Sequence, residues 1–358
     1  MAADSDHEYQ QLRAEIQKKL IDTDFEQWFP LVDPEDTAPT LFYPITREIA
    51  ETILNANRSL GSTSLEADRI ADLTPLNDYE AKLFAMVAGG LQKKIDVFGP
   101  SFIKTSSMSP KDVVLLLPSF KTNYSNNYRT EREKRGWNDM NKNEQNQTKL
   151  LAFMDACTLC LQFSNAKEAL RAFVLSQRTA EGMERALTHE EYGNFIIRKW
   201  MPAPLDSEFR LFVHDNVLRG ASQYIDSYFS KRIFHHRDHV AAAITKFFHD
   251  KLGPRLHSTF YHYAVDICIP DLSSYITDTD LIVPVDQWEL KVIEVNPWFE
   301  STGMCLFSGR AEEELEEKEG RQFPIVKVQD KLVSLGFMSK DWREAMYRVE
   351  AEVEAETK

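Results

Sequence analysis

Apolar positions in this chain follow a helical rhythm at first and a strand rhythm later. "LFYPITREIAETILNANRSLG" (41–61) reads as a short strand and then a helix with apolar spacing. "YEAKLFAMVAGGLQKKIDVF" (79–98) reads as a second helix, weakened by Gly89 and Gly90. "PSFIKTSSMSPKDVVLLLPSF" (100–120) predicts a strand, a Ser/Thr-rich turn and an apolar segment. Residues 121–150 are the most polar stretch, and predict a mobile insertion or long loop. From about residue 151 the pattern turns strand-like, in "ALRAFVLSQ", "NFIIRKWM", "SEFRLFVHDNVLRGASQYI", "FYHYAVDICIP" and "WELKVIEVNPW". "HDN" inside the third of these predicts a hairpin turn. "HVAAAITKFFHDKLG" spaces Val240, Ile244, Phe247, Phe248 and Leu252 as an amphipathic helix ending at Gly253-Pro254. Residues 1–20 predict a polar helix, "FEQWFPLV" an aromatic dock on the core, and the last residues an acidic helix or frayed tail. The class is α+β.

Composition supports a packed core. The 358 residues are 43% hydrophobic, with 22 Phe and 6 Trp. A net charge of −14 argues against non-specific nucleic-acid binding. Four cysteines are too few for a disulfide scaffold of this length. The N-terminal stretch lacks an apolar signal core, and no window reaches eighteen apolar residues. A reduced, cytoplasmic protein with no membrane or direct nucleic-acid partner is therefore expected.

Candidate chemistry concentrates in "VIEVNPW" (292–298). Side chains at i and i+2 share a strand face, so Glu294 and Asn296 project together just before Pro297. They are either solvent-facing decoration or oxygen ligands for a hard cation. Asp266 in "AVDICI" joins them if the two strands are neighbours. Carboxylates clustered without a cation repel one another, so alanine at Asp266 or Glu294 is expected to leave the fold intact. Lys104 closes the strand "FIK" before small hydroxyl residues, whose backbone N–H groups suit a phosphate. In isolation it reads as a surface lysine. Arg210 in "EFRLFV" and Arg198 in "IIRKW" sit among apolar residues and need a polyphosphate or an acidic side chain as partner. Cys157-Thr-Leu-Cys160 reads as buried thiols rather than a redox pair. His235 and His239 have helical zinc spacing but no third ligand close in sequence. There is no nucleophile elbow, P-loop or dinucleotide fingerprint.

The order of these segments resembles an ATP-grasp protein: a strand ending in lysine, a hinge strand, "EFRLFV", an aspartate strand and an E-x-N strand. More closely, "FEQWFP", "LFYPIT", "FIKTSSMSPKDVV", "FIIRKW", "EFRLFV", "ASQ", "VDICI" and "VNPW…LF" resemble the cell division cycle protein 123 family, over residues 20 to 310. Three positions depart from its pattern. Glu294 stands where the family usually has Asp, Tyr224 where an arginine usually follows Gln223, and Gly303 where an acidic residue usually follows Thr302. The resemblance implies one two-lobed ATP-grasp-like domain over residues 1–310, with the nucleotide cleft between the lobes and the insertion at 121–150. Residues 311–358 would follow as a C-terminal segment and acidic tail. It further implies an ATP- and Mg²⁺-binding assembly chaperone for translation initiation factor 2, engaging its gamma subunit. Adenine would lie along Lys199, Trp200 and Met201, phosphates against Lys104, Arg198 and Arg210, and Mg²⁺ on Asp266, Glu294 and Asn296. The alternative is an ATP-grasp ligase or kinase with an acceptor of its own.

Overall fold

The computed structural model describes residues 18, 22–60, 77–298, 302–308, 311–316, 322 and 324–356. The helix expected over residues 1–20 falls outside them but for Lys18. Among helices of ten residues or more, the chain first forms α1 (Arg47–Ser59), α2 (Asp78–Phe98), α3 (Ser119–Arg135), α4 (Lys142–Leu159), α5 (Ala166–Leu175) and α6 (Gln177–His189). Interleaved with these are β1 (Thr40–Pro44), β2 (Ser101–Thr105), β3 (Gln162–Phe163) and β4 (Asn194–Lys199). There follow β5 (Glu208–His214), β6 (Val217–Gln223), α7 (Arg237–Phe247), β7 (Tyr263–Cys268), β8 (Lys291–Pro297), β9 (Ile325–Lys327) and α8 (Lys340–Glu356). The fold is α+β. No helix among the described residues is long and apolar enough to cross a membrane.

The chain divides into two compact units. One comprises Pro39–Trp200 and Ser334–Lys358, the other Met201–Val333 together with the chain up to Ala38. The stretch after residue 310, expected as a separate segment, is thus shared between the units.

The 39–200 unit carries a four-stranded sheet in the order β1-β4-β2-β3. One face bears Tyr43, Ile103, Phe195 and Ile197, as the β1–β4 and β2–β4 registers require. It packs on helices: Phe195 meets Phe173 of α5 at 5.1 Å. A Cβ on Gly90 of α2 would lie 2.1 Å from the Tyr43 ring, so glycine here admits the strand. Lys104 and Arg198 share the opposite face with Phe42 and Phe102, and both cations are buried.

Two stretches of this unit differ from their sequence expectation. "ALRAFVLSQ" is helix α5 rather than a strand. Asn165 caps it through the Lys167 amide, and Ala166, Ala169, Leu170 and Phe173 bury one helical stripe. The polar stretch 121–150 lies mostly in α3 and α4, rather than in a long loop. Phe120, Tyr124 and Tyr128, spaced i, i+4, i+8, are buried and stack at 6.0 and 5.8 Å. Gly136 ends α3 in the left-handed region, and Asn141 with Glu144 forms a capping box on α4. Mean polarity conceals this aromatic stripe.

The 201–333 unit carries a five-stranded sheet, β8-β7-β5-β6-β9. The expected hairpin joins β5 to β6, with Asp215 and Asn216 both at positive φ. Phe209, Leu211, Val213, Val265, Ile267 and Val295 are all buried. The helix after His236 does not stop at Gly253-Pro254. It runs from α7 through a π-turn (Phe248–Leu252) into Gly253–Leu256, with Pro254 at the start of that last turn. His236 separates the helix holding His235 from the one holding His239.

Candidate functional site

Strand register assembles the site. Arg210 of β5 lies directly across from Asp266 of β7. Asp266 lies across from Glu294 of β8, and Ala264 across from Asn296. Paired residues share a face, so Arg210, Asp266, Glu294 and Asn296 all project from one face of the sheet. Sequence alone could not set the strand order. A bulge at Ile293, where the register shifts, sits directly beside Glu294. Phe212, Ala264, Phe307 and Leu315 cover another part of this face as an apolar cluster. Gly220 makes room for it: a Cβ there would meet Leu315 at 2.6 Å and Phe307 at 2.9 Å.

Three of the four, Arg210, Asp266 and Asn296, form one hydrogen-bonded network, and Glu294 stands beside it in register with Asp266. Arg210 grips Asp266 bidentately, Nε to Oδ1 at 2.7 Å and Nη2 to Oδ2 at 2.8 Å. Its Nη1 donates to the Gly303 carbonyl at 2.8 Å. Asn296 donates its Nδ2 to Asp266 Oδ2 at 3.0 Å. Burial opposes the Arg210 charge, but the Asp266 hydrogen bonds and charge outweigh it and hold the guanidinium above its ordinary range. Of the two partners open to Arg210 in sequence, the structure supplies the acidic one. Carboxylate repulsion is therefore not the dominant force at Asp266. Removing its side chain would strand a buried arginine, so the expectation that alanine there leaves the fold untouched does not hold.

Neighbouring residues complete the surroundings. Tyr224 places its ring 5.0 Å from the Arg210 guanidinium, an aromatic contact where the family usually has a cation. A Cβ on Gly303 would lie 3.5 Å from Arg210 Nη1, so this departure also falls beside the network. Gln223 is structural. It donates to the Ile225 and Tyr228 carbonyls and accepts from the Gln329 amide. Parallel pairing of β6 with β9 sets Lys327 across from Ser222, itself across from Arg210. Lys327 pairs with Glu314 and lies 4.4 Å from the Phe307 ring.

In the 39–200 unit, Lys104 and Arg198 share a sheet face as diagonal neighbours. The loop after Lys104 is closed on itself. The Thr105 amide donates to the Met108 carbonyl at 2.8 Å, the Met108 amide to Thr105 Oγ1 at 3.0 Å, and the Ser106 amide to the Asn194 carbonyl at 3.0 Å. These three donors are engaged within the chain, so a phosphate there would have to use other groups. Asp112 accepts from Ser176 Oγ and the Gln177 amide, fixing the start of α6. At the end of β4, the Lys199 and Trp200 amides donate to the Pro39 and Pro100 carbonyls, both at 2.9 Å. A base lying along Lys199–Met201 would have to use other groups there. Cys157 and Cys160 are buried, and burial pushes both thiols up.

Oxygen donors from Asp266, Glu294 and Asn296 suit a hard cation in kind. Both Asp266 oxygens are engaged by donors, so the set fits Mg²⁺ only once Arg210 is drawn off. Two other clusters among the described residues have ion-binding spacing. Asp33 and Asp36 are salt-bridged by Arg255 at 2.5 Å and Lys251 at 2.7 Å. Asp215 pairs with His214 at 3.0 Å beside Arg219 at 3.7 Å, and its amide donates to His262 Nδ1. Neighbouring cations already balance these carboxylates. A cavity of about 510 Å³ lined by Lys246, Lys251 and Trp288 shares no residue with the sheet-face network.

The family model for D123 matches residues 158–352, more than half of the chain. The chain belongs to the D123 family. That span carries Arg198, Arg210, Asp266, Glu294 and Asn296, and agrees with the sequence resemblance. Among solved structures, the D123-family chain is similar to Cdc123 from Schizosaccharomyces pombe, with a TM-score of 0.55 and 17% identity. The match covers 88% of this chain and 98% of that one. The C-terminally truncated form of that protein matches with the same values. At this identity the likeness establishes the fold. No curated protein sequence matches.

Proposed function

We propose that this D123-family chain is an ATP- and Mg²⁺-binding assembly chaperone that engages the gamma subunit of translation initiation factor 2. The supporting observation is the placement of Arg210, Asp266, Glu294 and Asn296 on one sheet face, in a chain whose order of motifs resembles that of the family. Asp266, Glu294 and Asn296 are the proposed metal ligands. Arg210, Lys104 and Arg198 are the proposed phosphate cations, and Lys199, Trp200 and Met201 the adenine-contacting hinge. Bound Mg²⁺ would neutralise phosphate charge and help fix the polyphosphate. Lys104 and Arg198 are buried among apolar neighbours, where a phosphate charge is felt strongly. Asn296 supplies an oxygen without adding charge. The gamma-subunit partner and cytoplasmic location rest on the sequence resemblance alone.

The test has three separate readings on purified protein: Mg-ATP binding by calorimetry, ADP release, and capture of the initiation factor 2 gamma subunit from a eukaryotic lysate. A chaperone binds Mg-ATP, captures the subunit and releases little ADP. Binding with steady ADP release and no capture would replace this reading with the ligase or kinase. No nucleotide binding would remove both.

A further inference from the structure

Every oxygen of Asp266 is taken. Oδ1 accepts from Arg210 Nε, and Oδ2 accepts from Arg210 Nη2 and Asn296 Nδ2. Both charged side chains are buried, Asp266 at 3% and Arg210 at 7% exposure, so water cannot substitute freely for either partner. Asn296 turns its amide NH₂, not its oxygen, toward the carboxylate. The network is neutral and satisfied as it stands. Arg210 has a second anchor in the Gly303 carbonyl at 2.8 Å, and Gly303 itself is exposed.

We propose that Arg210 is a latch: paired with Asp266 it excludes a divalent cation from the Asp266–Glu294–Asn296 face, and it leaves only when a polyphosphate takes over the guanidinium. This rests on the Mg-nucleotide reading for the identity of the opener, and goes beyond it in assigning an order. A free cation must displace a bidentate guanidinium from a buried carboxylate, with no new partner for the arginine. A polyphosphate alone takes the arginine but leaves Asp266 facing Glu294 with its charge unbalanced. When both arrive, partners are exchanged without stranding a charge: Arg210 moves to phosphate, and Asp266 and Asn296 turn their oxygens to the cation. Metal and polyphosphate then bind with positive coupling beyond their affinity for each other in solution.

The experiment uses Mn²⁺ alone as the probe, since it takes the same oxygen ligands as Mg²⁺. Its affinity is read by calorimetry and by loss of the free-ion electron paramagnetic resonance signal. Parent protein is compared with Arg210→Gln, and the fold of each is checked by thermal unfolding. Removing the charge-assisted grip on Asp266 is expected to raise Mn²⁺ affinity about ten- to hundredfold, although a residue proposed to bind ATP has been lost. Adding Glu294→Gln to Arg210→Gln should abolish that gain. Should Arg210→Gln not fold, Arg210→Lys is read instead. Lysine keeps charge but cannot form the two-pronged contact, so a smaller gain of the same sign is expected. Equal Mn²⁺ affinity in parent and folded variant overturns the latch, even if the parent binds Mg-ATP. A gain in a protein that does not bind Mg-ATP keeps the exclusion of the cation and removes the nucleotide as its opener.

Discussion

Two buried carboxylates in this protein are bonded equally well and hold very different things. Glu350, on α8, accepts from Tyr124 Oη of α3 at 2.8 Å and from Lys149 Nζ of α4 at 2.5 Å. Burial, and then the Glu350 charge, push the Tyr124 hydroxyl above its ordinary range, so it stays protonated and donates. This carboxylate ties a helix near the C-terminus to a helix pair some two hundred residues earlier, beside Met346, Val349 and Val353. Asp266 sits on a strand already hydrogen-bonded on both sides, and its partners lie on the two adjoining strands. Its hydrogen bonds join strands that the backbone ladder already joins. A costly buried charge that no element needs for docking is where function is to be sought.

The sharpest way to break this contrast is to delete each carboxylate. Glu350→Ala and Asp266→Ala should each cost about 3–5 kcal/mol, the first by stranding the buried Tyr124 hydroxyl and the partly buried Lys149, the second by stranding the buried Arg210. The losses should differ in place. Glu350→Ala should raise amide exchange across residues 340–356. Asp266→Ala should weaken the 201–333 unit as a whole, because its strands have no local way to open. Raised exchange confined to β7 alone would count against that account.

A second comparison replaces the whole pair. Arg210→Met with Asp266→Leu should recover most of the stability lost by Asp266→Ala, since a packed apolar pair is often neutral against the ion pair it replaces. The double variant should still fail to bind Mg-ATP. Denaturant unfolding and calorimetry together check this. A double variant as unstable as Asp266→Ala would mean that the pair holds the sheet together.

A smaller effect is expected at the apolar cover of the same sheet face. Gly220→Ala drives a Cβ into Leu315 and Phe307 and should cost about 1–3 kcal/mol by overpacking. Unchanged denaturant stability would show that the cover yields.

The smallest effect separates the units by pH. Burial, and then neighbouring histidines, hold His236, His257 and His262 below the ordinary imidazole value of 6.5. The unfolded chain therefore binds more protons than the folded chain below about pH 6.5. Stability from these groups is complete above that pH and is lost as pH falls through their lowered values. All three lie in the 201–333 unit, so that unit should loosen first between pH 7.5 and 5.5. A thermal midpoint that does not fall over this range would contradict the assignment.

Sequence pattern carried the site further than it carried the helices. Alternation along "VIEVNPW" placed Glu294 and Asn296 on one face because a strand has only two faces to offer. The partner of Arg210 was not legible, since strand order is a long-range property. Nor was the bulge at Ile293, which leaves no local mark. In the 39–200 unit, average polarity misled over residues 121–150, where Tyr124 and Tyr128 continue from Phe120 at helical spacing and outweigh many charged neighbours. "ALRAFVLSQ" misled for the opposite reason. Its continuous apolar run fits a buried strand or a buried helix, and the Asn165 cap decides for helix.

The central claim is that the face bearing Asp266, Glu294 and Asn296 binds Mg-ATP. Glu294 tests it best, because it is only half-buried and its loss leaves the Arg210–Asp266 pair in place. Calorimetric titration of Mg-ATP into the parent and Glu294→Ala should show about a ten- to hundredfold weaker affinity in the variant, the loss of one interaction with a charged group. The thermal midpoint without ligand should stay unchanged. A variant that binds Mg-ATP as tightly as the parent, or a parent that gives no binding heat, would contradict the claim.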